Sequence, residues 1–179
     1  MVSVASTGLY SVGFQIGMII GILEDAFNKA YVPWLFERLK RDRYNDKIMI
    51  VKLTYAYFAV IICLALALGV IGPWFLSFFV GPQFGGSGQF VLWIALGFAF
   101  NGMYKMVVNY IFYVRKTSML AWVTFSTAIV SIVINYFAIK YLGAIGAAYT
   151  YALISFITFL LVWVLSNRVY HMPWNLWKM

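Results

Sequence analysis

The sequence is poor in charge and in the residue types that build catalytic or metal sites. Only 10% of its 179 residues are charged, and it holds one histidine and one cysteine, whereas 64% are hydrophobic. Soluble domains carry about a quarter charged residues, so a soluble chain of this composition could not cover its own core. The single cysteine, Cys63, excludes an internal disulfide, and we expect it to be a small buried hydrophobe.

Enzyme motifs are also missing. The sequence contains no P-loop, no GxSxG and no His/Cys/carboxylate cluster at ligand spacing, and His171 lies in the C-terminal tail. The glycines of "GPQFGGSG" follow no predicted strand, so they indicate a turn rather than a phosphate-binding loop. We therefore expect no enzyme activity, no ATP-driven transport, no cofactor and no metal site.

Long apolar runs are abundant instead. Five runs approach the roughly 20 residues that cross a bilayer as helix, at about 8–34, 53–71, 90–113, 119–139 and 145–165. "GPW" at 72–74 is predicted to stop the second span, and "FLSFFVGPQFGGSG" to form a loop at the membrane surface. The predicted fold is all-α: a single polytopic transmembrane helix bundle of five spans.

The net charge of +8 is concentrated at the ends of these runs, most densely in "ERLKRDRYNDK" between the first two spans. Basic loops mark the cytoplasmic side of membrane proteins, which predicts a cytoplasmic C-terminus and an N-terminus outside, and argues against nucleic-acid binding. A natural chain of five spans that starts outside is unusual. We therefore expect this chain to be the back portion of a longer protein, and an odd number of that protein's spans to be missing from it.

The first span carries two distinct faces at 100° per residue. The glycines Gly13, Gly17 and Gly21 share one face, a small-xxx-small pattern that predicts close helix packing, and Glu24 and Asn28 continue it. The other face carries Ser11, Gln15, Asp25 and Lys29. Asp25 and Lys29 are spaced to form an i,i+4 pair. Glu24, on the packing face, is expected to be hydrogen-bonded, or protonated.

Polar stripes recur on two later spans. The third carries Asn101, Lys105 and Asn109 at intervals of four, and the fourth carries Thr124, Thr127, Ser131 and Asn135 on one face. Hydroxyls and amides inside membrane helices commonly join neighbouring helices, and we favour that reading for the fourth span. Lys29 fits a cavity and a snorkelling position equally well. Lys105 lies deeper, which favours a water-filled cavity.

The segment "GLYSVGFQIGMIIGILEDAFNKAYVPWLFERL" resembles the eighth-helix region of bacterial polysaccharide flippases, where Tyr-Ser-x-Gly-Tyr-Gln-Ile-Gly is followed by Phe-Asn-Lys-Ala-x-x-Pro-x-Leu-Phe. "GPQF" and "NYFAIKYLGAIGAAYTYALIS" look like later landmarks of the same family. These flippases belong to the multidrug/oligosaccharidyl-lipid/polysaccharide exporter superfamily. The chain would then be a partial C-terminal lobe of a two-lobe exporter, lacking the N-terminal lobe.

The resemblance implies a function in the bacterial inner membrane: moving undecaprenyl-diphosphate-linked oligosaccharide to the outer leaflet, for O-antigen, capsule or exopolysaccharide, by alternating access. Its partners would be the lipid-linked oligosaccharide, membrane lipid, the missing lobe and polysaccharide polymerase machinery. Residues matched to a diphosphate-binding cavity are Lys105, Lys29, Asn101, Asn109 and Gln15. Asp25 and Glu24 match ion-coupling carboxylates, although family members often carry other residues there.

Three alternatives stay open. A multidrug exporter of the same fold would need an aromatic, acidic drug pocket. A membrane polymerase or acyltransferase would need a sizeable outer loop with Arg or His, whereas the outer loops here are short and nearly uncharged. A non-catalytic assembly subunit would use the glycine face of the first span for association.

Overall fold

The computed structural model describes residues 3–79 and 86–175. Over these residues the chain forms five α-helices: α1 Val4–Arg41, α2 Tyr44–Phe79, α3 Gly88–Tyr113, α4 Thr117–Leu142 and α5 Ala144–Val169. Each of the five is long and apolar enough to cross a membrane, and the described ranges contain no strand. The predicted fold class, an all-helical membrane bundle with five spans, is confirmed.

The first two helices are much longer than the predicted spans. At 1.5 Å per residue, the 38 residues of α1 extend about 57 Å, nearly twice the hydrocarbon thickness of about 30 Å. Only Asp42 and Arg43 separate α1 from α2, so the basic segment expected to form a loop between the first two spans is almost entirely helical. The charged residues of this segment form three ion pairs at the adjoining ends of α1 and α2. They are Arg38 with Asp46 at 2.5 Å, Lys47 with Asp42 at 2.6 Å, and Arg41 with Glu37.

The second helix does not stop at "GPW". It continues through Pro73 to Phe79. A proline inside a membrane helix is tolerated where neighbouring helices cover the freed backbone. The start of α3 lies directly against this turn, because a Cβ added at Gly88 would be 2.7 Å from Pro73 Cβ. The "GPQF" landmark at 81–84 lies outside the described residues.

Helix α3 is the centre of the bundle, and it packs against α1, α2 and α5. Its buried side chains include Ile94, Met106 and Ile111. Helix α4 packs mainly along α5 and scarcely touches α3. As a result α4 lies at the edge of the bundle, with Leu120 and Thr127 as its buried residues.

The three glycines of α1 face α3. A Cβ added at Gly13 would lie 2.8 Å from Phe90 Cβ, one at Gly17 would lie 2.6 Å from Ile94 Cγ2, and one at Gly21 would lie 2.7 Å from the Phe98 ring. Distances this short leave no room for a side chain. The packing face predicted from the glycine spacing is therefore the face on which α1 meets α3.

Cys63 is exposed on α2, so the expectation of a buried position is wrong. Hydropathy alone does not separate a protein-facing position from a lipid-facing one, because both are apolar.

Candidate functional site

The glycine face of α1 continues into a cluster of charges shared with α3. Lys105 Nζ donates to Glu24 Oε1 at 3.0 Å and also to a carboxylate oxygen of Asp25. The Glu24 side chain is only 2% exposed, whereas that of Asp25 is 58% exposed and that of Lys105 is 25% exposed. One ammonium group thus bridges a buried carboxylate and an open one, and this ion triad carries a formal net charge of −1.

The triad replaces the pairing predicted from spacing. Asp25 bonds to Lys105 across the helix interface rather than to Lys29 on its own helix. Lys29 is exposed, and no ion pair recorded for the described residues involves it. The prediction failed because it considered α1 alone, and the glycine contact brings α3 close enough for a lysine on that helix to reach both carboxylates. The expectation that Glu24 is hydrogen-bonded on the packing face is confirmed.

A glycine of α3 makes room for the buried carboxylate. Gly102 of α3 lies against it, since an added Cβ would be 2.6 Å from Tyr57 Oη and 3.0 Å from Glu24 Cβ. The second oxygen of Glu24, Oε2, is buried and has no hydrogen-bond partner among the described residues. An unpartnered carboxylate oxygen in a membrane helix pair can accept a proton or a cation.

One helical turn beyond the triad, two asparagine side chains form a hydrogen bond between α1 and α3. Asn109 Nδ2 donates to Asn28 Oδ1 at 3.1 Å and to the Lys105 carbonyl oxygen at 2.8 Å. Asn109 is buried, so it acts in helix contact here rather than in a cavity wall. The three polar residues predicted to form one stripe on α3 therefore do not share one environment. Lys105 and Asn109 contact α1, while Asn101 does not take part in these contacts.

Asn101 borders a cavity of about 340 Å³ formed by α3, α4 and α5. We call it the hydroxyl cavity, because eight of its ten lining residues carry a hydroxyl or an amide, although most of the exposed wall is apolar. Its polar lining residues are Asn101, Tyr104, Thr124, Thr127, Ser131, Tyr151, Ser155 and Thr158. No charged residue lines it, and Asn101 is one helical turn from Lys105, so the cavity and the triad are neighbours on α3.

The sequence located part of this cavity. Thr124, Thr127 and Ser131 were expected to join helices, but they line a cavity because α4 stands away from α3. Asn135 lies outside that lining, with its Oδ1 buried and unpartnered among the described residues. Gln15 is exposed on α1 and does not line the cavity.

The α5 contribution was missed. Tyr151, Ser155 and Thr158 are spaced i, i+4 and i+7, which places them on one helical face. That periodicity was readable from the sequence, but only Asn101 and the α4 stripe were singled out. Among the described residues no group of three or more His, Cys, Asp or Glu side chains could hold a metal ion.

Comparison with known proteins finds longer membrane proteins. The chain is 32% identical over 144 residues to an uncharacterized membrane protein of Haemophilus influenzae, covering 80% of this chain and 33% of that protein. It is 26% identical over 158 residues to "Lsg locus putative protein 1" of the same organism, covering 84% of this chain and 39% of that protein. The chain thus spans about a third to two fifths of the length of these curated relatives.

No family model matches the chain, and no solved structure matches it. The relatives and the five apolar helices together support a multi-pass membrane protein.

Proposed function

We propose that the chain is the C-terminal part of a lipid-linked oligosaccharide flippase, a secondary transporter of the bacterial inner membrane. The observation that carries this proposal is the ion triad. Charged side chains within membrane helices are costly, and they mark substrate or ion pathways by default. Here three of them meet beside a cavity lined by hydroxyl-bearing residues, and Asp25 remains largely exposed.

The triad suits a transport step in which Lys105 exchanges its carboxylate partners for an anionic group of the substrate. In the described conformation Lys105 is neutralised by Glu24 and Asp25. An incoming proton or cation that binds the carboxylates would release the ammonium group, which could then attract the diphosphate of the substrate. Coupling between ion and substrate follows, because each replaces the same internal ion pairs, so that binding of one frees the side chain that the other needs.

The length of the relatives agrees with a partial lobe. They are about two and a half to three times as long as the matched segment, which leaves ample chain for further spans. Exposure of the charged Asp25 side chain to lipid would be costly, so it is expected to face water or another part of the protein. A facing lobe with a water-filled cavity between the lobes would supply it.

The test is a chromosomal Lys105→Ala substitution in the cell of origin, with surface polysaccharide measured against protein abundance. We expect polysaccharide to be lost while the protein is retained. Lys140→Ala is the matched control, because Lys140 is an exposed lysine at the end of α4. Normal polysaccharide in the Lys105 variant would contradict the proposal.

A second candidate function is multidrug export by the same architecture. It is favoured by an apolar cavity of about 510 Å³, lined by aromatic residues that include Trp93, Phe100 and Phe156. The carboxylates do not line that cavity, which is why we place this function second. Resistance to cationic dyes that depends on Glu24 and Asp25, with unchanged polysaccharide, would reverse the order.

A further inference from the structure

The hydroxyl cavity differs from an ordinary contact between helices. Ser and Thr side chains inside helices usually donate back to a carbonyl of the preceding turn. Thr54, Thr127 and Thr150 do so here, each at 2.9 Å. The side chains of Thr124, Ser131, Ser155 and Thr158 make no hydrogen bond recorded for the described residues, although all four line the cavity.

These four hydroxyls come from two helices that border the same space. Thr124 and Ser131 belong to α4, and Ser155 and Thr158 belong to α5. A hydroxyl both donates and accepts, so the set can satisfy a ligand that is itself rich in hydroxyls. Asn101 adds an amide from the α3 side, close to the Tyr151 hydroxyl.

The cavity wall is neutral and partly aromatic. Tyr104 and Tyr151 supply two rings, and Ala128 and Ile154 supply apolar surface. Rings of this kind offer a flat apolar face with a polar edge. The volume of about 340 Å³ lies at the small end of ligand sites, which range over roughly 300–1,000 Å³.

From this chemistry we propose that the hydroxyl cavity binds a single neutral sugar ring. A sugar presents hydroxyls around its edge and C–H groups on its faces, which match the hydroxyl-bearing and aromatic parts of the wall. An anion is disfavoured, because no cationic side chain lines the cavity. The inference deepens the proposed function, on which it rests for the substrate: the triad would meet the charged part, and this cavity would meet one sugar.

The experiment measures binding of two neutral probes, methyl β-D-glucopyranoside and methyl β-D-galactopyranoside, to the full chain in lipid nanodiscs by saturation-transfer NMR. We expect saturable binding of at least one glycoside and none of cyclohexylmethanol, an apolar ring of similar size. The variant Thr124→Val/Thr158→Val removes two hydroxyls with little change of shape. It should weaken glycoside binding about tenfold, in line with two lost hydrogen bonds.

The control is Thr150→Val. Thr150 lies on α5, does not line the hydroxyl cavity, and donates to Gly146 O. It should leave glycoside affinity unchanged, and circular dichroism of each variant checks that helix content is retained. Absence of saturable binding of either glycoside to the unmodified chain would overturn the inference, as would equal binding by the double variant.

The same data separate this inference from the proposed function. Glycoside binding that depends on Thr124 and Thr158, together with normal surface polysaccharide in Lys105→Ala cells, would remove the flippase proposal and keep the sugar site. Loss of polysaccharide in those cells without glycoside binding would keep the flippase proposal and remove the sugar site.

Discussion

Helices α3 and α4 have the same length and similar composition, yet they occupy opposite positions in the bundle. Each has 26 residues, and the mean hydropathy of their most apolar stretches is 1.5 and 1.8. In those stretches 56% of the α3 residues are buried within the described bundle, against 6% of the α4 residues. Hydropathy therefore indicates which helices can cross the membrane, but it does not indicate which helix lies at the centre of the bundle.

Small residues account for the difference. Helix α3 carries glycines at 88, 97 and 102, and at each of them a neighbouring helix approaches too closely for a side chain. Helix α4 contains no glycine. Lipid is as apolar as a leucine side chain, so packing rather than water exclusion drives helices together in a bilayer. The three glycines on the packing face of α1 all contact α3, whereas those of α3 contact α1, α2 and α5, so α3 is the helix that several neighbours approach closely.

The largest expected effect comes from removing the charge that α3 supplies to α1. Lys105→Met leaves Glu24 buried without a counter-charge, and breaking a buried pair costs about 3 kcal/mol or more. We expect the free energy of unfolding in detergent micelles to fall by that amount. Adding Glu24→Gln should restore part of the loss, because the unpaired charge is then removed.

Lys140→Met on α4 is the matched control for that prediction. Lys140 is exposed and makes no ion pair among the described residues. Its replacement should change stability by less than about 0.5 kcal/mol. Equal losses in the two variants would mean that α3 and α4 do not differ in the way described here.

A side chain added to the glycine face should have the next largest effect. Gly17→Leu forces α1 away from Ile94 and Ala95, and overpacking of this kind costs about 2–3 kcal/mol. Ala121→Leu adds one carbon less, to the exposed surface of α4, and should be neutral. Unfolding titrations of both variants compare them. A stable Gly17→Leu protein would contradict the close approach of α1 to α3.

A smaller effect is expected from truncating apolar side chains. Ile111 of α3 is fully buried, whereas Ile132 of α4 is 71% exposed. Ile111→Ala should cost about 1–2 kcal/mol, below the range for soluble cores, because the unfolded helix stays in an apolar solvent and only the cavity term remains. Ile132→Ala should cost almost nothing. A comparable loss at Ile132 in the same unfolding measurement would show that α4 is covered by protein.

The sequence predicted more of the helices than of their contacts. The spans α3, α4 and α5 fall within a few residues of the prediction, because apolar length is a local property. Pro73 was misread as a stop because a neighbouring helix covers that turn, and neighbours are invisible in a hydropathy pattern. For the same reason Asp25 was paired with Lys29 instead of Lys105.

The candidate site shows the same division. Spacing placed Glu24 on the glycine face of α1 and put Thr124, Thr127 and Ser131 on one face of α4. It could not indicate that the α4 stripe faces a cavity rather than a helix, since that depends on how far α4 stands from α3. The α5 stripe of Tyr151, Ser155 and Thr158 was detectable by the same spacing rule and was overlooked.

The central claim is that polar stripes from separate helices line a water-accessible space, while the outer face of α4 faces lipid. Adjacent residues of α4 test it at one depth: Ser131 lines the hydroxyl cavity and Ile132 points outward. In a Cys63→Ala background, a water-soluble maleimide should label Ser131→Cys in intact membranes at least about tenfold faster than Ile132→Cys, because the reactive thiolate forms only in contact with water. Equal rates, or faster labelling at position 132, would contradict the account.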